Sequence, residues 1–379
     1  MLKGEPMGTK RTISRTKAEL QSGGVRIPTE ILDELDAKYN SAPDMRKGRC
    51  IFYLKPPDGS DRPIPVFVLN GKATEKTPFH LVKSNSHYEV WKGDEKFTEV
   101  VFMPRPKYYD KLTSDGVPMC KIAYIGEPGL FRTAVNQSCD YVKMGKACKF
   151  CAVTSWWNAS LEKTAAQVAE VAKAAFDEGV MEDMFVTTGT VLTDGRGIEA
   201  IVETMKQVRA KGVDVPIEAQ FQPPLDYGYL KALKDVGVVT VSCNVECFDP
   251  SLREWLMPMK GQIPISKYVE TWDHARAIFG ENEVFNTVVV GIGETDESIL
   301  SGIEMAASHG VITLTEPLFA ARESKLADSV PPDADRMLRI YEESAKIFRK
   351  HGLSPFGAGA GCAKAGGYTA LREVMKFGV

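Results

Sequence analysis

Apolar runs of strand length alternate with amphipathic stretches of helical spacing along the last two thirds of the chain. The stretch at 160–179 shows the helical spacing clearly, because its apolar residues follow one stripe. The predicted strands are 130–137, 184–188, 217–222, 238–246, 284–291 and 311–319. The further predicted helices are 197–211, 227–236, 266–279, 296–309 and 333–351. Six or seven such units indicate an α/β fold with a partial or complete parallel (β/α) barrel, whose active site lies at the carboxyl ends of the strands.

The first third of the chain follows a different pattern, in which short apolar runs are separated by turns. The predicted strands are 50–54 and 65–69, and a hairpin is predicted at 87–103. Pro104 and Pro106 break any regular element that would follow. We therefore expect a small α+β extension over residues 1–110, and a barrel with a glycine-rich C-terminal tail over residues 111–379.

Composition and charge exclude several classes of protein. The chain has 379 residues, of which 44% are hydrophobic and 26% charged, as in an ordinary globular protein. Its net charge is -3 and the two signs are well mixed, so no basic field favours nucleic-acid binding. No run of about 18 apolar residues is present to span a membrane, and residues 1–24 do not resemble a secretory signal. A cytoplasmic location is therefore the expectation.

Three of the eight cysteines form a short cluster directly after the first predicted barrel strand. Cys139, Cys148 and Cys151 provide three thiolates, which can bind three irons of a [4Fe–4S] cluster and leave the fourth iron without a protein ligand. A zinc site is the alternative, but zinc ribbons need a second cysteine pair or a histidine pair. The five histidines of this chain are isolated from one another. The pattern therefore favours an iron–sulfur cluster.

Two of the predicted barrel strands carry polar residues on one face. Glu218, Gln220 and Gln222 alternate with apolar residues in the first, and Asn244 and Glu246 continue the same pattern in the second. Because helices cover the outer face of such a sheet, these polar residues are expected to face inward. The barrel is therefore predicted to hold a polar ligand.

The cysteine loop resembles that of the radical SAM superfamily, since Phe150 places an aromatic residue beside the last cysteine. The loop is longer than the commonest version of this motif. The resemblance implies a [4Fe–4S] cluster and S-adenosylmethionine (SAM) as cofactors. In this family the cluster binds SAM and reduces it, which releases a 5′-deoxyadenosyl radical that abstracts hydrogen. An external electron donor such as flavodoxin or ferredoxin and a small-molecule substrate are the implied partners.

Residues 242–294 resemble the branch that contains biotin synthase and lipoyl synthase. The resemblance implies that Asn244 and Glu246 bind the SAM ribose, and that Val289 and Gly291 pack on its adenine. Thr188, Gly189 and Thr190 stand where that branch receives the methionyl amino group, and Gln220 is a further cofactor-binding candidate. Lys260 and Arg253 are either partners of the SAM carboxylate or surface charges. Over the whole chain, the sequence resembles an uncharacterised radical SAM group whose genes accompany a nitrilase.

The type of radical reaction depends on the other cysteines. Biotin synthase holds a sacrificial [2Fe–2S] cluster on inner strand positions, which we align with Val186, Gln220 and Phe285. None of these residues can ligate iron, so sulfur insertion of that kind is not expected. Cys362, the catalytic candidate of the tail, is a hydrogen-atom donor, a ligand of a further cluster with Cys50 or Cys120, or a small buried residue.

Three functions therefore remain open at this point. The first is a radical enzyme that abstracts hydrogen from a small molecule. The second is sulfur insertion of the lipoyl synthase type, which would use an auxiliary cluster. The third is a non-catalytic protein that only binds an iron–sulfur cluster or zinc. Further candidates near the site are Arg322 and Glu323, for an anionic substrate or a rim salt bridge, and Trp156 and Trp157, as a cover for the cluster or as packing.

Overall fold

The N-terminal region contains two helices and two small antiparallel sheets. The computed structural model describes residues 12–39, 49–70, 74–85, 87–153, 160–321 and 324–379. The helices are α1 (Ile13–Gly23) and α2 (Thr29–Lys38). The strands are β1 (Arg49–Leu54), β2 (Ile64–Leu69), β3 (Phe79–Ser84), β4 (His87–Lys92) and β5 (Glu95–Val100). β1 pairs with β2, and β3, β4 and β5 form a meander, so the two predicted strands and the predicted hairpin are confirmed.

The two N-terminal helices and β3 were not predicted, and α1 shows why. The face that α1 buries is largely polar and includes Thr16, Lys17 and Gln21. Lys17 and Gln21 bind the C-terminal tail. The Lys17 ammonium donates to the carbonyl of Gly366 at 2.8 Å and lies 3.0 Å from the Glu373 carboxylate, and the Gln21 amide donates to the carbonyl of Gly367 at 3.0 Å. Such a helix has no apolar stripe, so hydrophobic periodicity does not reveal it.

A single seven-stranded sheet forms the centre of the larger region. Its strands are β6 (Tyr124–Ile125), β7 (Leu130–Asn136), β8 (Asp183–Thr188), β9 (Ile217–Phe221), β10 (Val238–Cys243), β11 (Val284–Val290) and β12 (Ile312–Pro317). They lie in sequence order, parallel except for the antiparallel pair of β6 and β7. Within the described residues β12 and β6 remain as edges, so the sheet is an open, partial barrel rather than a closed one.

Helices connect the parallel strands, and further helices lie in the cysteine loop and in the C-terminal tail. They are α3 (Asp140–Lys143), α4 (Ala165–Asp177), α5 (Ile198–Ala210), α6 (Gly228–Asp235), α7 (Pro250–Leu256), α8 (Ile265–Phe279), α9 (Asp296–Ser308), α10 (Ala334–Lys350), α11 (Gly361–Ala365) and α12 (Leu371–Phe377). The predicted helices are confirmed with shifted ends. α4 begins at Ala165 rather than 160, because Thr164 and Gln167 form a capping box that fixes its first turn.

The N-terminal region packs directly on the sheet and the tail. The Tyr53 hydroxyl donates to the carbonyl of Gly126 at 2.8 Å, and the ring of Phe67 stacks on Tyr368 with 3.9 Å between centroids. These contacts join the two regions, and the division at residue 110 stays a prediction. None of the helices in the described ranges is long and apolar enough to cross a membrane.

Candidate active site

One cavity of about 310 Å³ opens at the carboxyl ends of the strands and reaches down into the partial barrel. Its upper wall includes the three clustered cysteines, and its middle is lined by polar residues of β9 and β10. Its lower wall includes Cys362 of the C-terminal tail. The predicted polar lumen is therefore present, with Glu218, Gln220, Gln222 and Ser242 all on the cavity wall.

The cysteine loop places all three thiols on this wall. Cys139 is the N-cap residue of α3, and its carbonyl accepts the backbone N–H of Val142 at 2.9 Å. Burial raises the pKa of the Cys148 thiol to about 12 and that of Cys151 to about 11. Buried thiols of this kind become ligands only when a cation stabilises the thiolates. Three thiols on one cavity wall are a donor set that fits an iron–sulfur cluster.

The grouping of these thiols differs from that of a site for one ion. Among the described residues, no three Cys, His, Asp or Glu side chains are grouped closely enough to hold a single metal ion. In an iron–sulfur cluster each thiolate binds a separate iron, so the thiols need only surround the cluster. The described residues therefore offer no preformed site for the single zinc ion considered as the alternative.

The loop that follows β8 holds the cysteine loop close to the sheet. The backbone N–H of Gly189 donates to the carbonyl of Asn136 at 2.6 Å, and the N–H of Asp140 donates to the carbonyl of Thr190 at 2.8 Å. A Cβ atom on Gly189 would lie 3.0 Å from the carbonyl oxygen of Ser138 and 3.2 Å from Cα of Cys139. Glycine at this position thus permits the close approach of the two loops. Thr188, Gly189 and Thr190 all line the cavity, and their contact with SAM stays a prediction.

Asn244 and Glu246 both line the cavity, but not as part of a regular strand. β10 ends at Cys243, whereas the sequence predicts its end at residue 246. Glu246 has a φ of 66°, a left-handed conformation that costs a non-glycine residue of order 1 kcal/mol or more. Backbone hydrogen bonds with Thr287 and Val289, at 2.9 and 3.0 Å, hold it there.

Two polar groups in this part of the cavity are set up for a ligand. Oδ1 of Asn244 is buried and has no hydrogen-bond partner among the described residues. A buried polar atom of this kind normally has a partner, so a ligand group is a natural occupant. The Glu246 carboxylate lies 3.0 Å from the Lys260 ammonium, which also lines the cavity. Burial alone would lower the pKa of Lys260, but the Glu246 carboxylate raises it.

Two of the predicted SAM contacts lie away from the cavity. Gly291 has a φ of 102° and packs against Pro332, where a Cβ atom would approach the proline ring to 2.8 Å. The guanidinium of Arg253 donates to the carbonyls of Val245, Cys247 and Ile263 and fixes the backbone instead. Phe150, Gln220 and Val289 line the cavity, and their contact with a cofactor stays a prediction.

The strand register corrects one sequence-based alignment. Val186 pairs with Ala219, and both residues lie in the outer hydrophobic core, not on the inner face. The inner partner of Gln220 on β8 is Thr187, whose hydroxyl lies 3.2 Å from Oε1 of Gln220. Phe285 is buried but pairs with Ser242, which lines the cavity, so its alignment with the inner face agrees with the register. The inner positions of these strands still carry no cysteine, so the argument against a sacrificial [2Fe–2S] cluster is unchanged.

The C-terminal tail closes the amino ends of the strands and is not a loose segment. Three of its backbone N–H groups donate to strand side chains: Gly361 to Asp183 at 3.3 Å, Cys362 to Glu218 at 2.5 Å and Ala360 to Thr240 at 3.1 Å. A fourth, Gly359, donates to the Glu283 carboxylate at 3.1 Å. The tail thus forms the floor of the cavity and carries Cys362 into its wall.

The other unclustered cysteines do not meet Cys362. Cys50 is buried in the N-terminal core, and Cys120 packs against the main core beside the sheet. Cys243 is also in the main core, and Cys247 lies in a small apolar cluster under the cysteine loop. The trio that a further cluster would require is therefore not brought together. The candidates Arg322, Glu323, Trp156 and Trp157 lie outside the described residues.

Two cationic residues on the cavity wall were missed at the sequence level. Arg132 is 4% exposed, and its Nε and Nη2 bind the buried Glu127 carboxylate at 2.7 and 2.5 Å. Arg196, in the loop after β8, has no acidic partner among the described residues and lies near the Tyr141 hydroxyl. The position of Arg196 directly after a barrel strand could have indicated a site residue from the sequence. The burial of Arg132 could not be predicted, because it depends on the C-terminal tail.

The sequence matches the profile of the radical SAM superfamily over residues 145–306, a range that contains Cys148 and Cys151. Comparison with curated proteins gave no significant match. Among solved structures, the HydG maturase of the [FeFe]-hydrogenase is 15% identical with a TM-score of 0.45, over 58% of this chain and 49% of HydG. Methylornithine synthase (PylB) is 15% identical with a TM-score of 0.45, over 61% of this chain and 64% of PylB.

A radical SAM methyltransferase from Sphaerobacter thermophilus is also 15% identical, with a TM-score of 0.45, and covers 73% of this chain and 76% of its own. The chain thus spans about half the length of HydG and less than two thirds of that of PylB. The profile match shows that residues 145–306 belong to a radical SAM superfamily domain, and the enzymes of this superfamily use a [4Fe–4S] cluster and S-adenosylmethionine as cofactors.

Proposed function

We propose that the protein is a radical SAM enzyme that abstracts a hydrogen atom from a small-molecule substrate. Cys139, Cys148 and Cys151 would hold the cluster, and the cavity beneath it would hold SAM and the substrate. When bound and reduced, the cluster supplies the electron that splits SAM into methionine and a 5′-deoxyadenosyl radical. The observation that carries the proposal is that one cavity joins the three thiols to Asn244, whose buried Oδ1 has no hydrogen-bond partner among the described residues.

The residues of the middle cavity support a specific orientation of SAM. Asn244 and Glu246 offer an amide and a carboxylate, which suit the two adjacent hydroxyls of a ribose. Arg196 and Lys260 are the cationic groups on the same wall, and the SAM carboxylate fits either of them. The pairing of Asn244 and Glu246 with the ribose is the one that the resemblance to the biotin synthase branch implies. The inner strand positions, which carry Thr187 and Gln220 rather than cysteine, argue against sulfur insertion of the biotin type.

The proposed activity is tested by anaerobic reconstitution with iron and sulfide, followed by reduction with dithionite in the presence of SAM. We expect about four irons per chain and the formation of 5′-deoxyadenosine and methionine. Cys148→Ala should lose both the iron and the products. Cys243→Ala is the matched control, because Cys243 is buried in the hydrophobic core away from the cavity. Stoichiometric zinc without iron in the wild-type protein would refute the proposal.

SAM binding by the Glu246 carboxylate is tested separately. Glu246→Ala should weaken SAM binding by about 1–3 kcal/mol, because charge-assisted hydrogen bonds to the ribose are lost. The affinity is measured by equilibrium dialysis with protein of equal iron content. Glu294→Gln serves as the control for a nearby buried carboxylate that accepts hydrogen bonds from the backbone N–H groups of Phe248 and Asp249 and from the Ser298 hydroxyl. An unchanged affinity in Glu246→Ala contradicts the assignment.

We further propose that Cys362 donates a hydrogen atom to the substrate radical. The cluster thiols lie at the carboxyl ends of the strands and Cys362 at the amino ends, so the substrate would lie between them. The S–H bond of Cys362 would break as a C–H bond forms on the substrate. The resulting thiyl radical would take one electron, from a ferredoxin-type donor, and one proton to restore the thiol.

This role of Cys362 predicts a solvent isotope signature. A thiol exchanges its proton with water, so turnover in D₂O should place one deuterium in the product. Cys362→Ala should still form 5′-deoxyadenosine but should not deliver deuterium to the substrate carbon. Cys120→Ala, a change at a cysteine beside the main core, should behave as the wild type. Deuterium incorporation that persists in Cys362→Ala would exclude the proposed donor.

A further inference from the structure

A buried arginine forms part of the wall in the lower cavity. Arg132 lies on β7, lines the cavity and is 4% exposed. Its Nε and Nη2 donate to the Glu127 carboxylate at 2.7 and 2.5 Å. Its Nη1 has no acceptor in the part of the chain that the structure describes. Because buried donors normally have an acceptor, a ligand in the cavity is the natural partner of Nη1.

The structure leaves room behind Arg132 for the carboxylate that holds it. Glu127 is 0% exposed and lies behind the arginine rather than on the cavity wall. A Cβ atom on Gly126 would lie 2.5 Å from Nε of Arg132, and one on Gly367 would lie 2.8 Å from Oε1 of Glu127. Glycine at both positions therefore accommodates the ion pair, which fixes the guanidinium at the edge of the cavity.

Aromatic rings flank the guanidinium on the cavity side. The ring centres of Phe185 and Tyr368 lie 5.0 and 5.1 Å from Cζ of Arg132, and both side chains line the cavity. Such rings exclude water, and a hydrogen bond from the guanidinium to a ligand is stronger in a less polar environment. Because a carboxylate and two rings already fix the side chain, little conformational freedom is lost when a ligand binds.

The charges of the lower cavity disfavour an anionic ligand. Glu127 already balances the charge of Arg132. Burial raises the pKa of the Cys362 thiol, and the nearby charge of Arg132 opposes this rise. The charges of Glu218 and Glu316 add to it, so both carboxyls also lie near this thiol, and both line the cavity. A substrate carboxylate would add negative charge beside them, which is costly in a buried site.

We propose that Arg132 binds an uncharged carbonyl group of the substrate, such as a carboxamide. The inference rests on the proposed function, because it names the class of small molecule that the lower cavity would hold. The carbonyl oxygen accepts a hydrogen bond from Nη1 of Arg132, and an amide N–H donates to the carboxyl of Glu218 or Glu316. An amide thus offers both an acceptor and a donor, and it brings no charge into the buried site.

The test measures the binding of three matched probes to reconstituted holoprotein by equilibrium dialysis. Benzamide carries an uncharged carbonyl group, benzoate a carboxylate and benzylamine an ammonium group, each on the same ring. Benzamide should bind the wild type roughly tenfold or more tightly than either of the others, because only benzamide satisfies Nη1 without adding charge. Any other order of affinities, including no measurable binding of benzamide, would overturn the proposed substrate class.

Paired substitutions test the role of Arg132 itself. Arg132→Gln/Glu127→Gln removes both charges together, so no buried ion is left without its partner. It should weaken benzamide binding roughly tenfold or more, whereas iron content and SAM affinity stay equal to those of the wild type. Arg336→Gln/Asp296→Asn is the matched control, because it removes an arginine–carboxylate pair between α9 and α10, outside the cavity. This control should bind benzamide as the wild type does.

A second variant keeps the test decisive if the double variant loses iron. Arg132→Lys retains a cation for Glu127 but lacks the second terminal nitrogen, so it should also bind benzamide more weakly. Unchanged benzamide affinity in the Arg132 variants, or an equal loss in Arg336→Gln/Asp296→Asn, would overturn the role of Arg132. Dithionite-driven SAM cleavage by the wild type, measured without any probe, tests the proposed function instead, and its failure would contradict that function alone.

Discussion

The Glu218 carboxyl should make the stability of the protein depend on pH. Glu218 is 1% exposed, and burial raises its pKa to about 7. Hydrogen bonds from the Ser242 hydroxyl and the Cys362 backbone N–H oppose this rise, as does the charge of Arg132. The folded protein therefore binds this proton more tightly than the unfolded chain, in which the pKa is near 4.5.

The sign and size of the effect follow from this difference in pKa. Stability should be highest below about pH 4.5 as far as this group is concerned, and should fall as the pH rises toward 7, where the folded carboxyl ionises. One pKa unit corresponds to about 1.4 kcal/mol, so the shift from 4.5 to about 7 amounts to about 3 kcal/mol. Above the folded pKa the loss is complete and the curve is flat.

The perturbation is Glu218→Gln, which keeps an oxygen acceptor for the tail but cannot ionise. Urea unfolding of both proteins in the same cluster state, between pH 5 and pH 8, gives the free energy of unfolding at each pH. The difference between the two proteins should change by about 2–3 kcal/mol over this range in favour of the variant at high pH. Glu203→Gln, on the exposed side of α5, is the control. If the difference in the free energy of unfolding between the two proteins stays constant with pH, burial does not raise the pKa of Glu218 as described.

Two other changes test the packing around the site. Gly189→Ala should displace the cysteine loop, because its Cβ would lie 3.2 Å from Cα of Cys139, and should lower the iron bound per chain after reconstitution. Lys17→Met leaves the Glu373 carboxylate buried without its partner, and should lower the free energy of unfolding by about 3–5 kcal/mol in urea titrations. Lys38→Met, at an exposed pair, should show no comparable loss; equal effects in the two lysine variants would contradict this account.

The repeating strand–helix pattern was sufficient to predict the sheet and most of its helices. Each parallel strand is buried on both sides and each helix has an apolar stripe, so the period of the sequence reflects the fold directly. The polar inner face of β9 could also be predicted from the sequence, because Glu218 and Gln220 alternate with apolar residues. The alignment of Val186 was wrong by one position, and in a strand a shift of one residue moves a side chain to the opposite face.

Long-range contacts account for what the sequence could not indicate. α1 buries polar side chains because the tail provides their partners, and the position of Cys362 depends on hydrogen bonds to the amino ends of four separate strands. The left-handed conformation of Glu246 likewise depends on backbone pairing with Thr287 and Val289. Such partners are distant in sequence, so local periodicity carries no information about them.

The proposed role of Cys139, Cys148 and Cys151 is to hold a cluster whose open iron binds SAM in the cavity. Electron paramagnetic resonance of the dithionite-reduced, reconstituted protein, recorded with and without SAM, tests it most directly. We expect a [4Fe–4S] signal whose g-values shift when SAM is added, and no signal in the Cys139→Ala/Cys148→Ala/Cys151→Ala variant. A signal that SAM leaves unchanged, or one that persists in the triple variant, would contradict it.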